Sequence, residues 1–205
     1  VGRTGDPGGG VASRAALGRG LAELGARIAV SDWEAEKASA FSKSLNDDGF
    51  ESYSVAFNVL SVKDTERMFD DIAQHFGEVD ILVNFVGTQR ELPAEDFTEE
   101  AFDTVYNVNL KGAMFQSQAA AKIMMKQGRG GKQVHMGSVR SLLALRGRGY
   151  AAYCATKGGL AILCKQLAAE WAPHHINVNA VCPTFVRTPL VEPMLSDLQF
   201  YNQLV

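Results

Sequence analysis

Cysteine is scarce in this chain of 205 residues, with three in all. Cys154, Cys164 and Cys182 have no CxxC spacing and lie in apolar stretches. An odd, dispersed set of this kind argues against a disulfide framework or a zinc site and reads as reduced core thiols. Long hydrophobic runs are missing too: nothing approaches the roughly 18 to 20 uninterrupted apolar residues of a membrane span, and no basic-then-apolar signal pattern opens the sequence. Neither charge dominates. With 20 basic against 23 acidic side chains and a net charge of −3, nothing draws the chain to nucleic acid or to an anionic membrane. These absences lead us to expect a cytoplasmic protein whose partner is a small molecule.

What is present is a core-forming composition, 46% hydrophobic and 21% charged, without repeats, low-complexity tracts or a Pro/Ser-rich linker. A single domain over residues 1–205 is the expectation. Short apolar or β-branched runs alternate with longer amphipathic stretches, the pattern of βαβ units and a doubly wound, mostly parallel sheet flanked by helices, the Rossmann-like α/β class. Strands are expected at Arg27 to Ser31, Tyr53 to Phe57, Asp80 to Val83, Gln133 to Met136 and Ile176 to Val181. Ser61 reads as the N-cap of a helix from Val62 to Phe76, and Gly77 as its stop. Leu160, Leu163, Cys164, Leu167, Ala168 and Trp171 form one apolar stripe on a helix from Tyr153 to Trp171, closed by Pro173. Both ends are short for such a fold, so an edge strand is expected to be absent or brief at each.

Thr4, Gly5, Gly8, Gly9 and Gly10 precede a helix rich in Ala and Leu and then a strand. Glycines let a backbone approach a pyrophosphate, and the helix N-terminus behind them favours its charge. The bland alternative is a plain N-terminal loop. The following strand ends at Asp32, where a carboxylate accepts hydrogen bonds from both adenosine ribose hydroxyls and repels a 2′-phosphate, so the expected cofactor is NAD rather than NADP. Alternatively, Asp32 caps the helix that begins near Glu34.

Tyr153 and Lys157 are one helical turn apart on a shared face. A tyrosine with a pKa near 10 is a poor acid-base catalyst at neutral pH, whereas an adjacent ammonium draws that pKa downward. The strand Gln133 to Met136 ends in Gly137-Ser138, placing a hydroxyl at the C-terminal edge of the sheet, where open α/β folds bind ligands. Ser141 competes with Ser138 for that role. Asn109, in the run Asn107-Val108-Asn109-Leu110, and the segment Asn84-Phe85-Val86-Gly87 are brought to the same edge. Taken singly, Ser138 also reads as a strand-end hydroxyl and Asn109 as a helix-interrupting turn residue.

In combination these residues resemble the short-chain dehydrogenase/reductase family over essentially the whole length. Tyr153-Cys154-Ala155-Thr156-Lys157 matches its YxxxK, Ser138 its catalytic serine and Asn109 the asparagine of its NxNLxG-like run. Thr4-Gly5 and the following glycines, Gly9 among them, resemble its TGxxxGxG loop, and Asn84 and Gly87 the ends of its NNAG segment. Asp32 is similar to the acidic residue of NAD-preferring members, and Pro183 and Thr188 to the PGxxxT segment. The resemblance implies reversible hydride transfer between nicotinamide and a secondary alcohol or ketone, with Tyr153 as acid-base, Ser138 on the carbonyl oxygen, Lys157 on the nicotinamide ribose, Asn109 in a proton relay and Thr188 at the nicotinamide amide. It also implies a homodimer or homotetramer. The match departs from the family in its glycine loop, in Phe85-Val86, in Asn58 and in Thr184. A relative that keeps the fold without turnover, or a scaffold subunit using the apolar faces Phe115 to Met125 and Leu160 to Trp171, is the alternative. Arg140, Arg146 and Arg148 between serine and tyrosine admit two readings: a grip for a sugar acid or oxo acid, or a solvated basic loop.

Overall fold

The computed structural model describes residues 9–186 and Ser196. Helices and strands alternate as α1 (Gly9–Glu23), β1 (Ile28–Asp32), α2 (Ala35–Asp47), β2 (Ser52–Ala56), α3 (Val62–Phe76), β3 (Ile81–Asn84), α4 (Glu99–Tyr106), α5 (Gly112–Gln127), β4 (Gly131–Met136), α6 (Ala151–Trp171) and β5 (Ile176–Val181). Every strand pair is parallel, and each strand is joined to the next by a helical crossover. The architecture is the α/β class expected, with helices flanking parallel sheets.

Local signals set several boundaries. The Ser61 hydroxyl accepts a hydrogen bond from the Asp64 amide at 3.2 Å at the start of α3. Gly77, at φ 81, takes the left-handed position that ends it and donates to Ala73, a conformation in which any Cβ is strained. Ser61→Ala is expected to lower stability by about 1 kcal/mol; an unchanged urea midpoint would show that the cap does nothing. The stripe on α6 faces inward, with Leu160, Cys164 and Leu167 buried in the same core as Met68, Phe69, Met124, Ile176 and Val178. Leu163, Ala168 and Trp171 pack against its rim. Most of the α5 and α6 apolar faces are thus used within the chain, while Ile162 stays exposed. Among the described residues no helix is long and apolar enough to cross a membrane.

Between α4 and α5 the helix does not break. Asn107–Lys111 forms a π-helical segment that joins the two. Gly112 follows it because a Cβ there would collide with Val59.

The strands form two sheets, β2-β1 and β3-β4-β5. Their free edges, on β1 and β3, line one slot of about 780 Å³ together with Leu17, Leu21 and Phe41 from α1 and α2 and Ile72 and Phe76 from α3. No strand precedes α1 among the described residues. The slot lies between β1 and β3, inside the fold, and the residues expected to carry a first strand lie outside the described ones.

Candidate active site

The C-terminal ends of β1, β3 and β4 present Asp32, Asn84 and Gly137-Ser138 in that order. Asp32 is buried, and both oxygens are engaged. One accepts from the Glu34 amide at 3.0 Å, and the other pairs with Arg14 of α1 at 3.3 Å. Asp32 is not the helix cap: α2 is capped at Glu34 without a side-chain hydrogen bond, and the Asp32 carboxylate closes only the turn before it. Gly9 is the first residue of α1; Gly5 and Thr188 lie outside the described residues.

Ser138 follows β4 directly and its hydroxyl accepts from the Arg140 amide at 3.1 Å. It also hydrogen-bonds the Tyr153 side chain. Ser141 turns elsewhere, its hydroxyl accepting from the Ser138 amide at 3.4 Å and lying 3.9 Å from the Cys182 sulfur. Of the two serines, Ser138 faces the tyrosine.

Tyr153 sits on the first turn of α6, its ring edge-on to Tyr150 at 6.1 Å. Burial pushes its phenol above the ordinary value of 10, and the hydrogen bond from Ser138 offsets only part of this. The expected downward pull by Lys157 is not what the geometry gives. The ammonium lies 5.7 Å from the tyrosine ring centroid and donates to the Met136 carbonyl at 2.6 Å. Burial lowers the Lys157 pKa to about 8. Desolvation, which disfavours the charged form of both groups, is the largest influence on each.

Asn109 is fully buried on the π-helical segment and is not a turn residue. Its Oδ1 accepts from the Thr88 amide at 2.7 Å, and its Nδ2 donates to the Thr88 carbonyl at 2.9 Å and to the Thr156 hydroxyl at 3.1 Å. The Asn109 amide therefore clips the loop after β3 to α6. In that loop, a Cβ on Gly87 would stand 3.7 Å from both Asn109 Oδ1 and Lys157 Nζ, so the backbone passes directly over the two groups. A bare backbone beside a lysine and an asparagine, at the same C-terminal strand ends as Asp32, fits a dinucleotide laid across those ends.

The arginine reading is corrected in part. Arg140 donates to the Leu143 and Ala144 carbonyls, the latter at 2.7 Å, and so shapes its own loop. Arg148 pairs with Glu91 at 2.6 Å, lies 5.3 Å over the Tyr150 ring and helps hold the loop after β3 against the loop before α6, where the Leu92 amide meets the Gly149 carbonyl at 3.1 Å. Two of the three guanidinium groups are thus committed to structure, while Arg146 is exposed. Sequence reasoning missed Arg14, Thr88, Ser117 and His135. One signal was available for His135: Gln133 and His135 are polar at alternate positions of a strand whose same-face positions are buried.

A doubly wound α/β nucleotide-binding fold with serine, tyrosine and lysine gathered at its C-terminal edge defines a class of dinucleotide-dependent oxidoreductases. Residues 8–199 match the family model described as short chain dehydrogenase, and the chain belongs to the short-chain dehydrogenase/reductase family. It is 38% identical over 176 residues to a D-threitol dehydrogenase of Mycolicibacterium smegmatis, covering 86% of this chain and 66% of that protein. A gluconate 5-dehydrogenase of Gluconobacter oxydans is 32% identical over 191 residues, covering 92% and 72% respectively. Among solved structures, the gluconate 5-dehydrogenase from Burkholderia cenocepacia, in complex with NADP and tartrate, superposes with a TM-score of 0.85 at 34% identity, over 92% of this chain and 72% of that one. The chain spans about two thirds of the length of the D-threitol dehydrogenase.

Proposed function

We propose that the protein catalyses the reversible NAD(P)-dependent oxidation of a secondary alcohol on a polyol or sugar acid, acting as a cytoplasmic homo-oligomer built as one domain. The observation that carries this reading is the approach of Ser138 to Tyr153 beside buried Lys157, at the sheet edge that also holds Asn84, Gly87 and Asn109. When bound, nicotinamide supplies or takes up the hydride. In the direction of reduction, Ser138 donates to the carbonyl oxygen of the substrate and Tyr153 delivers the proton as charge develops there. Lys157 would hold a ribose hydroxyl of the bound cofactor, and its charge would favour the phenolate needed for oxidation. Asn109 keeps the loop over this site and stands at the start of the proton path. The substrate class is supported by the names of the relatives and by a chain with no dominant charge; exposed Phe102 and Tyr106 on α4 support self-association. A screen of polyols and aldonic acids with both cofactors, followed as nicotinamide absorbance, tests the reading. Absence of turnover with every one would overturn it.

Cofactor choice turns on the Arg14–Asp32 pair. Asp32 supports NAD, because it offers a carboxylate to the ribose hydroxyls. Arg14 supports NADP, because its guanidinium can exchange that carboxylate for a 2′-phosphate. Arg14→Ala is expected to weaken NADPH binding about tenfold or more, the worth of one charge-assisted hydrogen bond, and to change NADH binding by less than about threefold. Fluorescence titration at fixed salt reads both; an equal loss for the two would remove Arg14 from selectivity.

A further inference from the structure

Gln133 and His135 alternate along β4 and emerge on one face, toward α5. Both are fully buried in a parallel strand, where aliphatic side chains are the rule. His135 has a neighbour at each ring nitrogen: Nδ1 lies 3.3 Å from Asn84 Nδ2, and Nε2 lies 2.9 Å from the Ser117 hydroxyl. The orientation of the Asn84 amide is fixed independently, because its Oδ1 accepts from the Val86 backbone amide at 2.8 Å. The NH₂ group therefore faces the ring, and an NH₂ group only donates. Nδ1 must present a lone pair, so the ring proton resides on Nε2 and is donated to Ser117.

We propose that His135 is a positioning residue: by accepting from Asn84, it orients that amide to hold Val86, and through Val86 it sets the Phe85-Val86-Gly87 backbone over Lys157 and Asn109. This inference rests on the reading that this edge receives the dinucleotide. The chain of contacts is short. Turning the Asn84 amide over would set its NH₂ against the Val86 N–H, a meeting of two donors. A doubly protonated ring forces that turn, because Nδ1 then carries a proton too. The surroundings oppose such protonation: burial, and then the Lys157 ammonium on α6, lower the His135 pKa to about 4. The groups contacting the ring from β3 and α5 are the uncharged Asn84 and Ser117. The neutral imidazole is thereby kept through the whole physiological range.

Nitrogen-15 NMR of the ring, with the protein free of cofactor, is the first test. The expected result is the Nε2–H tautomer, with no titration from pH 8 to about pH 5; an Nδ1–H tautomer would overturn the proposal. The second is amide exchange of Val86. In His135→Leu protection should fall at least tenfold, and in His135→Gln, which keeps an acceptor, it should largely return; equal protection in all three proteins would overturn the proposal. Should His135→Leu not fold, Asn84→Asp serves instead, since a carboxylate facing Nδ1 should lift the ring's titration from about 4 to its ordinary 6.5 or above. A ring that still titrates near 4 would refute the contact. These readouts need no turnover, so an inactive wild-type protein would defeat the functional reading and leave them intact. In an active protein, His135→Leu should also weaken NADH binding about tenfold, and His135→Gln, which keeps an acceptor, should restore most of it.

Discussion

Tyr153→Phe is expected to reduce kcat by about 10²- to 10⁴-fold, the range of a lost general acid-base group, and to change the Kd for NADH by less than about threefold. The substitution removes only a hydroxyl. The ring keeps its edge-on contact with Tyr150 at 6.1 Å, so the loss to the fold is limited to the hydrogen bond with Ser138. Because Ser138 and the phenol act on the same substrate oxygen, Ser138→Ala added to Tyr153→Phe should lose little beyond the single variant. The upward push on the phenol from burial also sets a pH profile. Reduction needs the protonated phenol and should stay flat through neutrality, whereas oxidation needs the phenolate and should rise into the alkaline range. Single-turnover kinetics in both directions would check this. Full activity in Tyr153→Phe would transfer the proton chemistry to another group.

Lys157→Met should inactivate the enzyme by at least about 10²-fold and yet make the fold more stable near neutral pH. In the folded chain the ammonium is buried and its pKa is depressed to about 8 from 10.5. A lowered lysine pKa means that the unfolded chain binds the proton more tightly, so between about pH 8 and 10.5 stability rises with pH. Below pH 8 the folded state bears the full cost of the buried charge, about 3 kcal/mol at roughly 1.4 kcal/mol per tenfold in proton affinity. Methionine fills similar space without charge. It leaves the Met136 carbonyl without its 2.6 Å donor, a loss of about 1–3 kcal/mol. The balance should favour the variant by about 0–2 kcal/mol at pH 7 and turn against it above pH 10.5. Urea unfolding at the two pH values reads the difference directly. A variant equally destabilised at both would show that the burial of charge is not what distinguishes this position.

The parts of this molecule that were legible in its sequence are those whose cause is local. Helix α3 begins and ends as expected because Ser61 and Gly77 are chemical punctuation. Helix α6 starts at Ala151, two residues before the expected Tyr153, because nothing at Tyr150 marks the start: its side chain makes no capping hydrogen bond. Strand limits shifted by a residue or two, as at β1, where Asp32 closes the strand that the hydropathy ends at Ser31. The gathering of Ser138, Tyr153, Lys157 and Asn109 was legible because each lies in a short motif. What these side chains do once gathered was not. Asn109 is spent on Thr88, 21 positions away, Arg14 on Asp32 across 18, and Lys157 on a carbonyl across 21. Such pairings follow from strand order, which no local pattern encodes, and the same is true of the central slot and of the balance that raises the tyrosine pKa.

The π-helical segment joining α4 to α5 has a consequence for how the chain tolerates length changes. Such a segment holds one residue more than an α-helix of the same span, and each residue turns a helix by about 100°. Deleting Val108 would let hydrogen bonding continue uniformly from Glu99 to Gln127, a gain in helical regularity. It would also rotate one helix against the other by that angle, carrying Asn109 off the face that meets Thr88 and Thr156. The extra residue works as a phase shifter between two otherwise regular helices, and lineages that have lost it would have to supply the Thr88 clip from a different position.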